Sequence, residues 1–329
     1  MDPVDALTEI AYLLERERSN AYKAKAFRRA GETVAALDED VLRDPGRLKK
    51  TPGIGDSTFT VIQQALAGEV PDYLADLRER LGPARKSALR AALRGDLHSH
   101  SEWSDGTTSI DLMVRSARRL GHDYLALTDH SPRLTVARGL SAERLTEQLA
   151  VVERFRGDGF TLLKGIEVDI NEDGTLDQTP EMLDQLDVVV ASVHSKLKSD
   201  PAEMTKRMLR AVRDPHTDVL GHITGRLVEG SRGTRPGATF DAQAVFDACA
   251  ERRVAVEINS RPERQDPPDE LIVQALDAGC LFSIDSDAHA PGQLSLLDYG
   301  AERAERLGVP PERIVTTWPL GELLAWTAR

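Results

Sequence analysis

The chain has 329 residues, of which 40% are hydrophobic and 29% charged, and a formal net charge of −12. That length fits one large domain plus a small one and an ordinary globular composition. It excludes a disulfide framework, because Cys249 and Cys280 are the two cysteines and read as buried free thiols. The longest apolar stretches, such as 187–193, fall far short of a membrane span. The opening MDPVDALTEI has neither a basic n-region nor an apolar core, so it does not read as a secretory signal, and the cytoplasm is the expected location, with no membrane partner. The acidity at face value disfavours nucleic acid as a partner. It is unevenly spread, however: residues 1–94 carry 16 basic and 15 acidic side chains, the remainder 26 and 39.

Residues 1–90 read as a helical domain. Apolar positions 7, 10, 11 and 14 form a helical stripe over 4–16, and 21–37 continues it with Phe27, Ala30 and Val34. Thr51-Pro52-Gly53-Ile54-Gly55-Asp56 is a tight glycine turn before a helical run over 57–67. Gly82-Pro83 marks a break, and a short helix over 85–93 leads into the second domain, 91–329. There the grammar changes. Strands are expected at 95–98, 124–128, 161–168, 188–194, 218–222, 254–259 and 281–284. Helices are expected between most of them, at 109–120, 142–156, 202–212, 242–252 and 269–278. This alternation implies an α/β fold with a parallel sheet, and seven units fit a (βα) barrel better than an open sheet.

Each expected strand delivers a polar group at its C-terminal end, where parallel barrels assemble their sites. The first ends in Asp96-Leu97-His98-Ser99-His100, the second in Thr128-Asp129-His130, and the third in Glu167-Val168-Asp169. The next three end in His194, His222 and Glu257-Ile258-Asn259, and the seventh runs into Asp285-Ser286-Asp287-Ala288-His289. Six of the eight histidines stand at these ends; His122 and His216 precede strands and read as structural. Imidazole and carboxylate without thiolate suit Mn²⁺, Zn²⁺ or Fe²⁺. With Asp105 included, nine candidate ligands exceed one ion's needs, so two or three divalent ions are expected. Such a cluster suits a phosphate ester, whose oxygens several cations neutralise.

These residues resemble the PHP (polymerase and histidinol phosphatase) family. The matching motifs are DLHSHSEWSDG at 96–106, TDH at 128–130, GIEVDI at 165–170, SVHS at 192–195, GHITGR at 221–226 and SDAH at 286–289. The resemblance implies a distorted (βα)₇ TIM-like barrel with three divalent metal ions. His98, His100, Glu167 and Asp287 would hold one ion. Glu167 would bridge to a second, held by His194 and His222, and Asp105, His130 and His289 would hold the third. Some family members carry histidine where this chain has Asp105, and the harder ligand favours Mn²⁺. Asp129, Asp169 and Asp285 are expected to orient imidazoles. Glu167 and Asp287, with Arg226 and Arg264, are the candidate catalytic groups, around a hydroxide bridging the metals. Arg138, Lys196, Arg226, Arg261 and Arg264 are the candidate phosphate-binding cations, and Trp103 is a candidate for stacking on a base.

The GHITGR motif and the 259–264 stretch look most like the PHP domain of bacterial family X DNA polymerases. The Thr51–Gly55 turn resembles a helix-hairpin-helix, and residues 1–90 resemble the small N-terminal domain of those polymerases. In such a hairpin, backbone amides at Gly53 and Gly55 meet a DNA phosphate at a helix N-terminus. Lys49 and Lys50, with Lys23, Lys25, Arg28 and Arg29, would add contacts. The polymerase palm and fingers have no counterpart between the two parts, so nucleotidyl transfer is not expected. The expected function is hydrolysis of phosphate esters at DNA ends, as a 3′→5′ exonuclease, a 3′-phosphatase or both. The alternatives are a small-molecule phosphatase, such as one for histidinol phosphate, and a non-catalytic DNA-end-binding protein.

Overall fold

The computed structural model describes residues 1–18, 20–82, 87–157, 159–230 and 233–328. It divides into two compact units: Met1–Arg85 with Pro291–Gln293, and Lys86–Ala290 with Leu294–Arg329.

The first unit is helical: α1 (Pro3–Arg16), α2 (Ala21–Ala35), α3 (Glu39–Leu42), α4 (Pro45–Lys49), α5 (Asp56–Leu66) and α6 (Asp72–Leu81). Asp2 caps α1 by accepting from the amides of Val4 and Asp5, and Asp44 caps α4 through Gly46 and Arg47. The apolar stripe of α1 (Leu7, Ile10, Leu14) is buried with Phe27, Leu48, Ile62, Leu74 and Leu77.

The second unit contains α7 (Ala88–Ala92), α8 (Ile110–Arg119), α9 (Ala142–Val152), α10 (Pro180–Leu183), α11 (Pro201–Val212), α12 (Ala242–Arg252), α13 (Asp269–Asp277), α14 (Leu297–Arg306) and α15 (Leu320–Thr327). Its strands are β1 (Gly95–Asp96), β2 (Tyr124–Leu127), β3 (Arg156–Gly157), β4 (Phe160–Asp169), β5 (Val188–Ser192), β6 (Val219–Leu220), β7 (Ala255–Asn259) and β8 (Leu281–Asp285). Seven of them pair in parallel in the order β1-β2-β4-β5-β6-β7-β8, while β3 pairs antiparallel with β4. The result is a nearly closed seven-stranded parallel barrel. The long strand β4 pairs with β2 over 161–164 and with β5 over 165–169. Gly165 sits at that handover, where a Cβ would meet the Leu127 carbonyl at 2.8 Å.

The seam between β1 and β8 is closed by side chains rather than a ladder. The Leu97 amide donates to Asp285 (2.8 Å) and the Ser286 amide to Asp96 (3.2 Å). Beyond them the His100 amide donates to the Ala288 carbonyl (2.8 Å). These crossed bonds set the His98–His100 arm beside the Asp287–His289 arm.

Strand residues alternate between two apolar layers. Tyr124, Ala126, Val188, Val190, Val219 and Ala255 pack with Val315, Trp318, Leu323 and Trp326 of the C-terminal segment. Ile166, Val168, Val189, Ala191, Val256 and Ile258 pack with the surrounding helices. The Tyr124 hydroxyl donates to the Trp318 carbonyl, so the C-terminal segment covers the end where strands begin. The opposite end is left for the polar residues.

His122 precedes β2, is buried, and among the described residues neither ring nitrogen makes a hydrogen bond. Burial, aided by the nearby Arg90 charge, pushes its pKa down to about 3. The unfolded chain takes up this proton as pH falls through 6.5, while the folded chain resists it. Stability is therefore lost on acidification between those values, by up to about 1.4 kcal/mol per pH unit. Urea unfolding at pH 7 and pH 5 is expected to show His122→Phe losing about 2 kcal/mol less than wild type over that interval. Equal losses in both proteins would contradict the assignment.

Candidate metal centre

The nine expected ligands converge at the C-terminal end of the barrel. At their centre lies Glu167, buried on β4. Its Oε2 is 2.9 Å from His130 Nδ1, 3.2 Å from His98 Nε2 and 3.5 Å from His100 Nε2. Its Oε1 is 2.8 Å from His222 Nε2 and 3.1 Å from His194 Nε2. One carboxylate therefore faces five imidazoles. Asp287 Oδ1 lies 3.5 Å from both His100 Nε2 and His289 Nδ1. Asp105 Oδ1 lies 3.5 Å from His130 Nε2 and 3.3 Å from His289 Nε2.

Burial resists charge on Glu167, but His98, His194 and His130 outweigh it and hold its carboxyl well below the usual range. Asp287 is held down likewise, burial being overcome by Arg261, His100 and Arg264. Both carboxylates are thus ionised as ligands must be. Burial, with neighbouring His289 and His130, pushes His100 down to about 3, which keeps its ring neutral.

The donor set fits divalent ions. Among the described residues, buried ring nitrogens of His98 (Nε2), His100 (both), His130 (Nδ1) and His222 (Nδ1) make no hydrogen bond, an expensive condition for polar atoms unless a cation takes their lone pairs. Ligand atoms fall within 4.8 Å of one another in three groups: His100, Asp105, His130 and His289; His98, His100 and Asp287; and His130, Glu167 and His194. His100 and His130 are shared between groups, which differs from the expected partition.

The surrounding residues take more varied places than adjacency implied. Asp169 Oδ1 does meet His194 Nδ1, at 3.2 Å. Asp129 instead accepts from Ser101 (2.8 and 2.6 Å), Ser104 and Gln148 (2.6 Å), pinning the loop that carries Asp105. Asp285 serves the barrel seam. The group that meets His98 is Glu257, with Oε1 2.6 Å from Nδ1. Its signal in the sequence is a charged residue within the apolar run of β7. Trp103 is partly buried and packs on the core.

The arginines also divide. Arg226 donates to the carbonyls of Arg264 (3.1 Å) and Gln265, so it supports the backbone there. Arg261 bonds Glu263 (2.9 Å), the Asp287 carbonyl (2.9 Å) and His289 Nδ1 (3.1 Å). Arg264 is buried with Nε 3.1 Å from Asp287 Oδ2. Arg138 and Lys196 are exposed, each with a φ of 57°. His216 bonds Asp214 (2.9 Å) and Asp184 (3.1 Å).

Within the first unit, α4 and α5 flank the glycine turn. Gly53 has a φ of 94°, and a Cβ there would lie 3.0 Å from Thr33 Oγ1. Gly55 is the N-cap of α5. Lys49 and Lys50 are exposed, although Lys49 lies 3.4 Å from Asp56. Arg28 is paired with Glu15, which removes it from the expected phosphate contacts.

Residues 96–261 match the PHP domain. The chain belongs to the PHP family. Residues 1–70 match a helix-hairpin-helix domain. This PHP chain is 34% identical over 239 residues to the DNA polymerase/3′-5′ exonuclease PolX of Bacillus subtilis, covering 72% of its own length and 41% of that protein's. It is 27% identical over 237 residues to the probable phosphatase YcdX of Escherichia coli K12, covering 68% and 90% respectively. A histidinol phosphate phosphatase from Lactococcus lactis, solved with zinc, L-histidinol and phosphate, matches at 17% identity and a TM-score of 0.45, over 65% of this chain and 92% of that one. No helix among the described residues is long and apolar enough to cross a membrane.

Proposed function

We propose that this protein hydrolyses phosphate esters at DNA ends, as a 3′→5′ exonuclease, a 3′-phosphatase or both, in the cytoplasm. The observation that carries the reading is the five-imidazole cluster around Glu167. His98, His100, Asp105, His130, Glu167, His194, His222, Asp287 and His289 would hold three divalent ions, Mn²⁺ favoured over Zn²⁺ or Fe²⁺. When bound, such ions acidify water and offset charge on phosphoryl oxygens. The chain's own residues do the rest. Glu167 and Asp287 supply the negative charge that retains the cations. Arg264, anchored on Asp287, offers its guanidinium to a phosphoryl oxygen. Arg261 fixes the His289 ring, and Asp129 holds the Asp105 loop. Arg138 and Lys196, both exposed, would meet further phosphates of a strand.

The helix-hairpin-helix match and the exposed Lys49 and Lys50 support DNA as the substrate. In the test, the full chain is given Mn²⁺ with a 3′-phosphorylated duplex, a 3′-hydroxyl duplex, histidinol phosphate and p-nitrophenyl phosphate. Lys49→Glu/Lys50→Glu is expected to slow DNA-end hydrolysis about 10-fold at 0.1 M salt. The same variant should leave p-nitrophenyl phosphate turnover unchanged. Equal DNA-end rates in variant and wild type would remove the DNA role of this unit. The acidic balance of residues 95–329 favours a second reading, a phosphatase for a small phosphorylated substrate. Turnover of histidinol phosphate with no action on either duplex would establish that instead.

A further inference from the structure

We infer that Glu257 is a positioning residue of the metal centre, fixing which ring nitrogen His98 offers and locking the elements on either side of β7. The inference rests on the metal-centre reading above.

Glu257 lies mid-strand on β7, fully buried, on the same face as Ala255 and Asn259. Its Oε1 is 2.6 Å from His98 Nδ1. A carboxylate can only accept, so Nδ1 carries the hydrogen and Nε2 keeps its lone pair. That Nε2 faces Glu167 Oε2 at 3.2 Å without forming a hydrogen bond, as a ligand atom turned toward a cation would. The other oxygen, Oε2, accepts from the His222 amide (2.5 Å) and from Asn259 Nδ2 (3.2 Å). Asn259 Nδ2 also lies 3.3 Å from Asp287 Oδ2. One buried carboxylate thus touches the ligand arm after β1 and the backbone of the ligand after β6. Through Asn259 it reaches the ligand after β8.

Glu257 is not itself placed as a ligand. Both its oxygens are taken by N–H donors, and it belongs to none of the three ligand groups. Its contribution is orientation and basicity: a carboxylate on the far nitrogen of a ligating imidazole fixes the tautomer and makes the near nitrogen a better donor.

The test is a double-mutant cycle on the metal-stripped full chain, read by calorimetric titration with Mn²⁺ alone. Glu257→Gln is expected to weaken Mn²⁺ binding about 10- to 100-fold. On a His98→Ala background the same change is expected to cost less than about threefold, because the route through the His98 ring is gone and only the contacts with the His222 amide and Asn259 remain. Glu257→Asp keeps the charge but shortens the reach, and is expected to weaken binding as well. It keeps the question answerable should the glutamine variant fail to fold. Mn²⁺ affinity within twofold of wild type in either Glu257 variant would overturn the inference, as would an equal loss with and without His98. A wild-type chain that binds no divalent ion would instead sink the metal-centre reading itself, an outcome distinct from these.

Discussion

Glu167→Gln is expected to lower kcat/KM for p-nitrophenyl phosphate by on the order of 10³-fold, and to leave the purified protein short of metal. Glutamine matches glutamate in shape, so the variant isolates charge. Glu167 sits between five imidazoles whose nitrogens approach its two oxygens at 2.8 to 3.5 Å. An amide there removes the central negative charge and turns an N–H₂ donor toward nitrogens that should be giving lone pairs to cations. The loss should therefore reach more than one ion. Metal content by mass spectrometry checks the first part. Thermal unfolding with and without Mn²⁺ checks the second, because an ion held at 100 times its Kd stabilises the folded chain by about 2.7 kcal/mol. Wild type should gain Tm on loading and the variant should not. A variant that loads the wild-type number of ions would remove Glu167 from the centre.

The position of that centre was legible because barrel geometry and strand alternation make specific demands. A strand shows its C-terminal end in sequence when an apolar run stops at a histidine or carboxylate, and six histidines stand at or just beyond the ends of five of the seven runs. The finer roles were not legible, because neighbours in sequence leave a strand in opposite directions. Asp129 adjoins His130, yet it bonds Ser101, Ser104 and Gln148. Glu257 is far from His98 in sequence, yet the two meet at 2.6 Å. Which acid meets which imidazole depends on barrel closure, and here the seam is closed by Asp96 and Asp285 through side chains. The two-residue β3 straddles the end of the helix expected over 142–156, since Arg156 and Gly157 carry no alternation to display. The covering segment with Trp318 and Trp326 follows the last strand, where no further strand–helix unit announces it.

The arginines at the mouth are expected to separate in kinetics as they do in contacts. Arg264→Lys should lower kcat on p-nitrophenyl phosphate about 10²-fold, and Arg226→Lys less than about threefold. Arg264 is 8% exposed, its Nε is held by Asp287, and among the described residues its two terminal nitrogens make no hydrogen bond. A planar guanidinium fixed at one edge and open at the other can take two phosphoryl oxygens at once; an ammonium offers a point charge without that fork. The cost should fall on kcat more than KM, because phosphoryl charge shifts in the transition state and an aimed donor serves it best there. Arg226 spends its donors on the carbonyls of Arg264 and Gln265, so its replacement should show in a lower Tm instead. Matching kcat losses in the two variants would mean that positive charge near the mouth acts, and that the aim of Arg264 does not.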